Sequence, residues 1–168
     1  GGAPGAGGRR IRVTGGELSQ INGTLRLSTQ DATGYATDAT RVSTLNLTGG
    51  TLYVNTTDNQ TLGNCTVNLT GGAIAASSTS CNLDFYQGSS AVNSYASAVA
   101  STISTTKLNL RQDNGVTFTV EDGAADIDLD VLSVISASSG YTGNQLVKAG
   151  AGVMRLAGAN TFAYPLNV

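Results

Sequence analysis

The sequence predicts an all-β protein, a parallel β-helix (β-solenoid) of about seven coils, and three observations support this. Short segments in which apolar and polar residues alternate recur along the chain, as in strands with one buried face. Several of them are followed by Gly-Gly, which marks a corner that needs positive φ or close backbone approach. Two copies, Leu45-Asn46-Leu47-Thr48-Gly49-Gly50 and Val67-Asn68-Leu69-Thr70-Gly71-Gly72, lie 22 residues apart. Such a spacing is typical of coils that pair with their neighbours.

The alternating segments can be followed along the whole chain. The first is Ile11-Arg12-Val13, before Thr14-Gly15-Gly16. Later segments with the same period of two are Leu25-Arg26-Leu27, Leu45-Asn46-Leu47, Leu52-Tyr53-Val54, Val67-Asn68-Leu69, Leu108-Asn109-Leu110, Val116 to Val120, Ile127 to Val131 and Leu166-Asn167-Val168. The stretch from Ala91 to Ile103 is rich in Ala and Ser, and a helical turn and a loop across the coil both remain open there. Between Pro4 and Pro165 no proline interrupts backbone pairing.

A β-sandwich of hairpins is the competing architecture. Asn22-Gly23, Asn114-Gly115 and Asp122-Gly123 are dipeptides that two-residue hairpin turns favour. Strands of a sandwich have no reason to share one corner sequence, so the repeated Thr-Gly-Gly favours the solenoid. In aligned coils the amides at the centre of four triplets would stack into a hydrogen-bonded ladder. These residues are Asn46, Asn68, Asn109 and Asn167, with Asn46 and Asn68 expected to be neighbours.

The composition excludes several classes of function. The chain has no His, 9 Lys plus Arg against 11 Asp plus Glu, and no Trp. This balance is not that of a basic nucleic-acid binder, and catalytic machinery that depends on His, or a zinc site of the usual ligands, cannot be assembled. No segment is long and apolar enough to span a membrane. The sequence therefore predicts a protein that is not an enzyme and has no cofactor, with Ca²⁺ as a possible exception.

The last quarter of the chain carries its most specific motif. The segment from Asn144 to Phe162 reads NQLVKAGAGVMRLAGANTF and resembles the passenger-associated transport repeat of bacterial autotransporters. The residues that match the pattern of that repeat are Lys148, Gly150, Gly152, Leu156, Gly158, Asn160 and Thr161, with Phe162 in place of Tyr. The resemblance implies a right-handed parallel β-helix on a secreted or surface-displayed bacterial protein. It divides the chain into a Gly/Arg-rich arm at 1–10, solenoid coils at 11–143 and a truncated repeat coil at 144–168.

Acidic residues cluster in one segment, where Asp126, Asp128 and Asp130 alternate with apolar residues. Alternation would place all three carboxylates on one outward strip. Such a strip could bind Ca²⁺ through oxygen ligands, act as a carboxylate pair on a carbohydrate, or form an ordinary solvated face. Calcium is the metal that these residues predict.

Two cysteines, Cys65 and Cys81, lie 16 residues apart. Val67 and Leu83 follow them at equivalent positions, so both thiols are expected to point inward on adjacent coils, within the distance that a disulfide spans. An even number of cysteines in a Thr- and Ser-rich chain is consistent with a disulfide and an oxidising compartment. Two small buried thiols are the alternative.

The two ends of the solenoid carry the functional hypothesis. Each end of such a fold exposes strand edges on which another strand can pair. The candidate assembly residues are Arg9, Arg10 and Arg12 at one end and Leu166, Asn167 and Val168 at the other. The sequence therefore predicts an extracellular stalk or fibre subunit that stacks head-to-tail on itself. An adhesin or a carbohydrate-binding or carbohydrate-active β-helix, with surface glycans as partner, is the alternative.

Overall fold

The computed structural model describes residues 16–35, 38–54, 59–76, 79–137, 140–141, 145–162 and 165–168. Within these ranges the chain forms seventeen short β-strands and no helix. The described residues accordingly include no helix capable of crossing a membrane. All pairs between these strands are parallel. The predicted all-β class is confirmed.

The strands lie in three sheets, and the chain visits the sheets in turn. Sheet A consists, in spatial order, of β1 (Glu17–Ile21), β3 (Thr44–Thr48), β6 (Thr66–Thr70), β9 (Ala91–Ser94), β12 (Val116–Val120), β15 (Leu146–Ala149) and β17 (Leu166–Asn167). Sheet B consists of β2 (Thr24–Leu27), β4 (Thr51–Val54), β7 (Ala73–Ala76), β10 (Ser101–Ser104), β13 (Leu129–Val131) and β16 (Met154–Leu156). Sheet C consists of β5 (Asn59–Thr61), β8 (Asn82–Tyr86), β11 (Lys107–Arg111) and β14 (Val134–Ala137).

Neighbouring strands of one sheet come from successive coils, which is the architecture of a parallel β-solenoid. The stack amounts to about five turns, fewer than the seven expected. The reason lies in the length of the coils. The step from Thr44 to Thr66 in sheet A takes 22 residues, whereas the step from Glu17 to Thr44 takes 27 and that from Thr117 to Val147 takes 30.

The segments that the sequence left ambiguous are corners and strands of the solenoid. Asn22 and Gly23 both have positive φ, at 58° and 69°, and they turn the chain from β1 into β2 rather than closing a hairpin. Asn114-Gly115 and Asp122-Gly123 likewise connect strands of different sheets. The stretch from Ala91 to Ile103 contains strands β9 and β10 in place of a helical turn. The sandwich alternative is therefore wrong, and the triplet at 11–13 and the arm at 1–10 lie outside the described residues.

The core is a narrow column of aliphatic side chains inside the three sheets. In β3 and β6 the alternation is resolved as predicted, since Leu45, Leu47, Val67 and Leu69 are buried. The two largest fully buried rings, Phe85 and Phe118, meet edge to face with centroids 6.2 Å apart. These side chains hold the sheets together through burial of apolar area.

The coil with the repeat-like sequence stacks tightly on the coil before it. A Cβ atom on Gly150, Gly152 or Gly158 would lie 2.2–2.3 Å from a backbone oxygen of that preceding coil. The side-chain oxygen of Asn160 accepts a hydrogen bond from the Ile135 amide of the neighbouring coil at 2.8 Å, and its backbone amide donates to Gly158 O at 2.9 Å within its own corner. Leu146 is buried, Met154 and Leu156 pack partly against the core, and Val153 points to solvent.

Candidate functional site

The three acids expected on one outward strip lie in different environments. Asp126 is exposed, whereas Asp128 is buried and accepts hydrogen bonds from the Gly123 and Val153 amides, both at 2.8 Å. Asp130 lies on the outer face of sheet B under Arg155, whose Nε and Nη2 donate to its two oxygens at 2.9 and 2.5 Å. In the described ranges no three His, Cys, Asp or Glu side chains converge as metal ligands. The predicted strip is wrong, because Asp128 is held by two amides and Asp130 by Arg155, and of the three only Asp126 is exposed.

Cys65 and Cys81 are both buried, as expected, and neither forms a disulfide. They lie at two corners of one coil, since Cys65 precedes β6 in sheet A and Cys81 precedes β8 in sheet C. The expectation that they stack on adjacent coils is therefore wrong, and the predicted disulfide is not formed in the structure. Burial raises the pKa of the Cys65 thiol from 9.0 to about 12, and the charge of Arg41 offsets only part of this.

The amide ladder is confirmed for the pair that the sequence placed together. Nδ2 of Asn68 donates to Oδ1 of Asn46 at 2.8 Å, and the ladder gains a third member because Asn93 donates to Asn68 at 2.9 Å. Asn46 in turn donates to Ser19 Oγ at 3.0 Å and to Glu17 Oε1 at 2.9 Å.

The other two predicted members of the ladder lie elsewhere. Asn109 belongs to sheet C, where it donates to Asp84 Oδ1 at 2.5 Å. Asn167 is in sheet A but pairs in register with Val147 and donates to Gln145 at 2.9 Å. The same triplet sequence thus occurs in different sheets.

A groove on the outer face of sheet A runs along this ladder, and we call it the sheet A groove. It encloses about 280 Å³. Its lining residues are Ser19, Gln20, Ile21, Asn46, Thr48, Asn68, Thr70 and Tyr95. All of them except Gln20 form two columns two residues apart on successive strands, and the exposed side chains of Ile21 and Tyr95 stand at opposite ends of the second column. Among the described residues that line the groove none is Asp, Glu, Lys or Arg, and the Glu17 carboxylate beside it accepts hydrogen bonds from Ser19 and Asn46.

A second cluster lies on the outer face of sheet C, where three tyrosines from different coils meet. The ring centroid of Tyr86 is 5.2 Å from that of Tyr35 and 6.1 Å from that of Tyr141. The guanidinium carbon of Arg111 lies 4.5 Å from the Tyr86 centroid, and its Nη1 donates to Asp84 at 2.6 Å.

These interactions are largely internal to the tyrosine cluster. Burial raises the pKa of Asp84, and hydrogen bonds from Asn109 and Arg111 offset part of this effect. The hydrogen bond with Tyr35 raises the pKa of the Tyr86 hydroxyl. The rings pack against one another and against Arg111, so the cluster links coils more than it presents free faces.

The first and last described coils contain inward apolar side chains that are only partly buried. Leu166 of β17 is 45% exposed and Val168 is 92% exposed. Together with Lys148, Met154 and Leu156 they line a pocket of about 190 Å³ at this end. In the first described coil, Leu18 and Leu25 are only partly buried against the core. The predicted assembly residues Arg9, Arg10 and Arg12 lie outside the described residues.

Comparison of the chain with models of protein families, with curated proteins and with solved structures found no match. The function must therefore be inferred from the chemistry of the molecule's own surfaces. Two features combine accessible side chains with a defined chemistry: the sheet A groove and the apolar ends of the solenoid.

The sequence pointed to the ladder but not to the groove beside it. The residues that complete the groove follow each ladder position by two: Ile21, Thr48, Thr70 and Tyr95. That offset is a usable signal once the sheet A strands are aligned, because period two keeps both positions outward. The tyrosine cluster had no such signal, since its members come from unequal positions in their coils.

Proposed function

We propose that this chain is a structural extracellular β-solenoid, a stalk or fibre subunit of a bacterial surface protein of the autotransporter passenger type. The observation that carries the proposal is the continuous stack of seven parallel strands in sheet A. Backbone hydrogen bonds join each strand of this sheet to its neighbours along one axis, which is a geometry suited to a spacer. A role as spacer uses this geometry directly, and it requires no catalytic group.

The terminal repeat coil supports the relation to autotransporter passengers. Its glycines lie where a side chain would meet the neighbouring backbone, and Asn160 binds the Ile135 amide of the coil below. A sequence motif of this kind would serve to dock one coil on the next. The export route and the surface location belong to the same proposal.

Head-to-tail assembly is the second part of the proposal. Leu18 and Leu25 in the first described coil, and Met154, Leu156 and Leu166 in the last described strands, are inward residues that are only partly buried. Stacking one subunit on the next would bury both sets and pair the outer strands of each sheet. Because the two surfaces differ, the contact is heterologous and does not close, so it generates a filament.

Negative-stain electron microscopy of the purified chain across a concentration series tests this proposal. We expect filaments whose length grows with concentration. Leu166→Lys places a charge in the contact and should abolish or shorten them. Val99→Lys is the matched control, because Val99 is 65% exposed away from both end coils. Isolated rods at every concentration, or equal filaments from Leu166→Lys, would refute head-to-tail assembly.

A second candidate function, adhesion to a surface glycan, is favoured by the outer face of sheet A. This face presents amides and hydroxyls from successive strands beside an exposed tyrosine. The carbohydrate-active variant of this function is not favoured, because Asp128 and Asp130 are engaged by amides and by Arg155. Binding without catalysis is the form of the alternative that the groove supports.

A further inference from the structure

We infer that the sheet A groove binds a short, uncharged glycan, with a pyranose ring against Tyr95 and its hydroxyls toward Thr70 and Asn68. The inference rests on the adhesive function proposed above and gives it a site and a class of ligand. It is independent of fibre assembly, because the groove is formed within one subunit.

The ladder provides hydrogen-bonding groups of both kinds in a fixed orientation. Asn68 uses one N–H toward Asn46 and one lone pair toward Asn93, which leaves one donor and one acceptor for a ligand. The hydroxyls of Thr48 and Thr70 add groups that both donate and accept. A sugar hydroxyl also donates and accepts, so it matches such a surface. Because the ladder is fixed by its own bonds, little side-chain freedom would be lost on binding.

Two exposed apolar side chains of the groove, Tyr95 and Ile21, fit the C–H face of a sugar. Tyr95 is 42% exposed, and its backbone amide donates to Leu69 O at 2.8 Å, which fixes the residue above Thr70 in the stack. An exposed ring of this kind offers a flat apolar surface to the C–H groups of a pyranose, with a polar hydroxyl at its edge. Ile21, which is 77% exposed, provides a second apolar contact at the far end.

The absence of charged side chains among the described lining residues disfavours charged ligands. None of its eight described lining residues carries a formal charge at neutral pH, and the neighbouring Glu17 is negative, so within the described part of the chain neither a phosphate nor an acidic sugar meets a counter-charge there. A peptide that binds as an added strand needs free backbone groups at a sheet edge. The groove lies on a face, where the strands already pair with one another.

Gln20 contributes no polar group to the ligand. It alternates with the outward Ser19 and Ile21 and lies in register with the buried Leu47. Its Nε2 donates to backbone oxygens of the corner after β1, including that of Gly23 at 3.0 Å. The volume of about 280 Å³ is at the lower limit of ligand pockets and suits one or two sugar rings.

Saturation-transfer NMR on the folded chain tests the inference. The probes are the methyl glycosides of glucose, galactose, mannose and N-acetylglucosamine, the disaccharides lactose and cellobiose, and glucuronic acid as a charged comparison. We expect at least one neutral probe to bind and glucuronic acid to bind at least tenfold more weakly. Tyr95→Ala should weaken the neutral probe tenfold or more, and the isosteric Thr70→Val should weaken it threefold or more.

Tyr53→Ala is the matched control, because Tyr53 lies on the outer face of sheet B under Arg26. It should leave binding unchanged, and circular dichroism should show that all variants are folded. If a neutral probe binds but Tyr95→Ala and Thr70→Val have no effect, the groove is not the site although the adhesive function survives. If no probe binds, both the inference and the adhesive function fail.

Discussion

Cys65 shows how a solenoid corner isolates a titratable side chain. It lies where the chain enters sheet A, and its Sγ is 3.7 Å from the backbone oxygen of Thr66. Aliphatic side chains of the core exclude water there, so the thiolate is disfavoured and the pKa of Cys65 rises to about 12. A thiol held in this way is unreactive while the protein is folded.

The stability of the protein should therefore fall as the pH rises above the ordinary pKa of a thiol. Between about pH 9 and 12 the unfolded chain releases the Cys65 proton while the folded chain keeps it. The free energy of unfolding then decreases with pH, by up to about 1.4 kcal/mol per pH unit for this group. Urea denaturation with a reductant, from pH 7 to pH 10.5, measures the slope.

Variants separate the contribution of Cys65 from that of other groups. Cys65→Ala should be less stable at pH 7, because it leaves a small cavity, but it should lose part of the alkaline slope. Cys81→Ala is the control that changes the other buried thiol. An identical slope in wild type and Cys65→Ala would show that this thiol is exposed or bonded, and would contradict the structure.

Glycines determine how closely one coil approaches the next in the terminal repeat coil. Gly150 has a φ of +83° and a Cβ there would lie 2.2 Å from Val120 O. Gly158 has no positive φ, but its Cβ would lie 2.2 Å from Ser133 O. Gly140 has a φ of +98° with no atom within 4 Å of its Cβ position. Gly140 therefore has only the positive φ, Gly158 only the close contact, and Gly150 both.

Substitution by alanine should therefore give graded losses of stability. Gly140→Ala should cost about 1–2 kcal/mol, the cost of a left-handed conformation in an L-residue. Gly158→Ala should cost about 1–3 kcal/mol through overpacking alone. Gly150→Ala combines both effects and should cost the most, about 3 kcal/mol or more. Denaturation midpoints and slopes measure the order, and equal losses at Gly140 and Gly150 would show that coil contact is unimportant there.

The sequence could predict the strands but not the length of each coil. Alternation identified the buried residues of β3 and β6, and the 22-residue step aligned Asn46 with Asn68. Asn93 was not predicted as a ladder member, because the step from Asn68 to Asn93 takes 25 residues and does not match the apparent 22-residue period. Corner lengths depend on how each turn packs on the coil below, which a single sequence does not encode as a pattern.

The prediction for the acidic segment was wrong for a related reason. Alternation treats Asp128 as a strand residue, whereas β13 begins at Leu129 and Asp128 lies in the corner before it. There its carboxylate accepts hydrogen bonds from the Gly123 and Val153 amides and joins two coils. A carboxylate that satisfies backbone donors at a corner cannot be distinguished from an outward ligand by periodicity alone.

The whole molecule is a stack in which each coil contacts mainly the coils before and after it. In such a protein stability is the sum of coil terms and interface terms, and the end coils have one interface instead of two. The central strands β6 and β9 have neighbours on both sides, whereas β17 pairs only with β15 in the described part of the chain. The ends should therefore open more readily than the centre, and assembly should stabilise them.

Hydrogen exchange measured by mass spectrometry tests this distribution in dilute subunits and in assembled protein. In dilute subunits, peptides covering β6 and β9 should exchange slowly and peptides covering β17 should exchange fast, since local opening costs least where few contacts exist. If assembly occurs by coil-on-coil stacking, the end strands β1 and β17 should become protected by tenfold or more, while the central strands change little. Leu166→Lys should remove this added protection and Val99→Lys should keep it. Protection that appears on sheet faces while β17 still exchanges fast would instead indicate that subunits associate side by side, and would contradict the head-to-tail fibre.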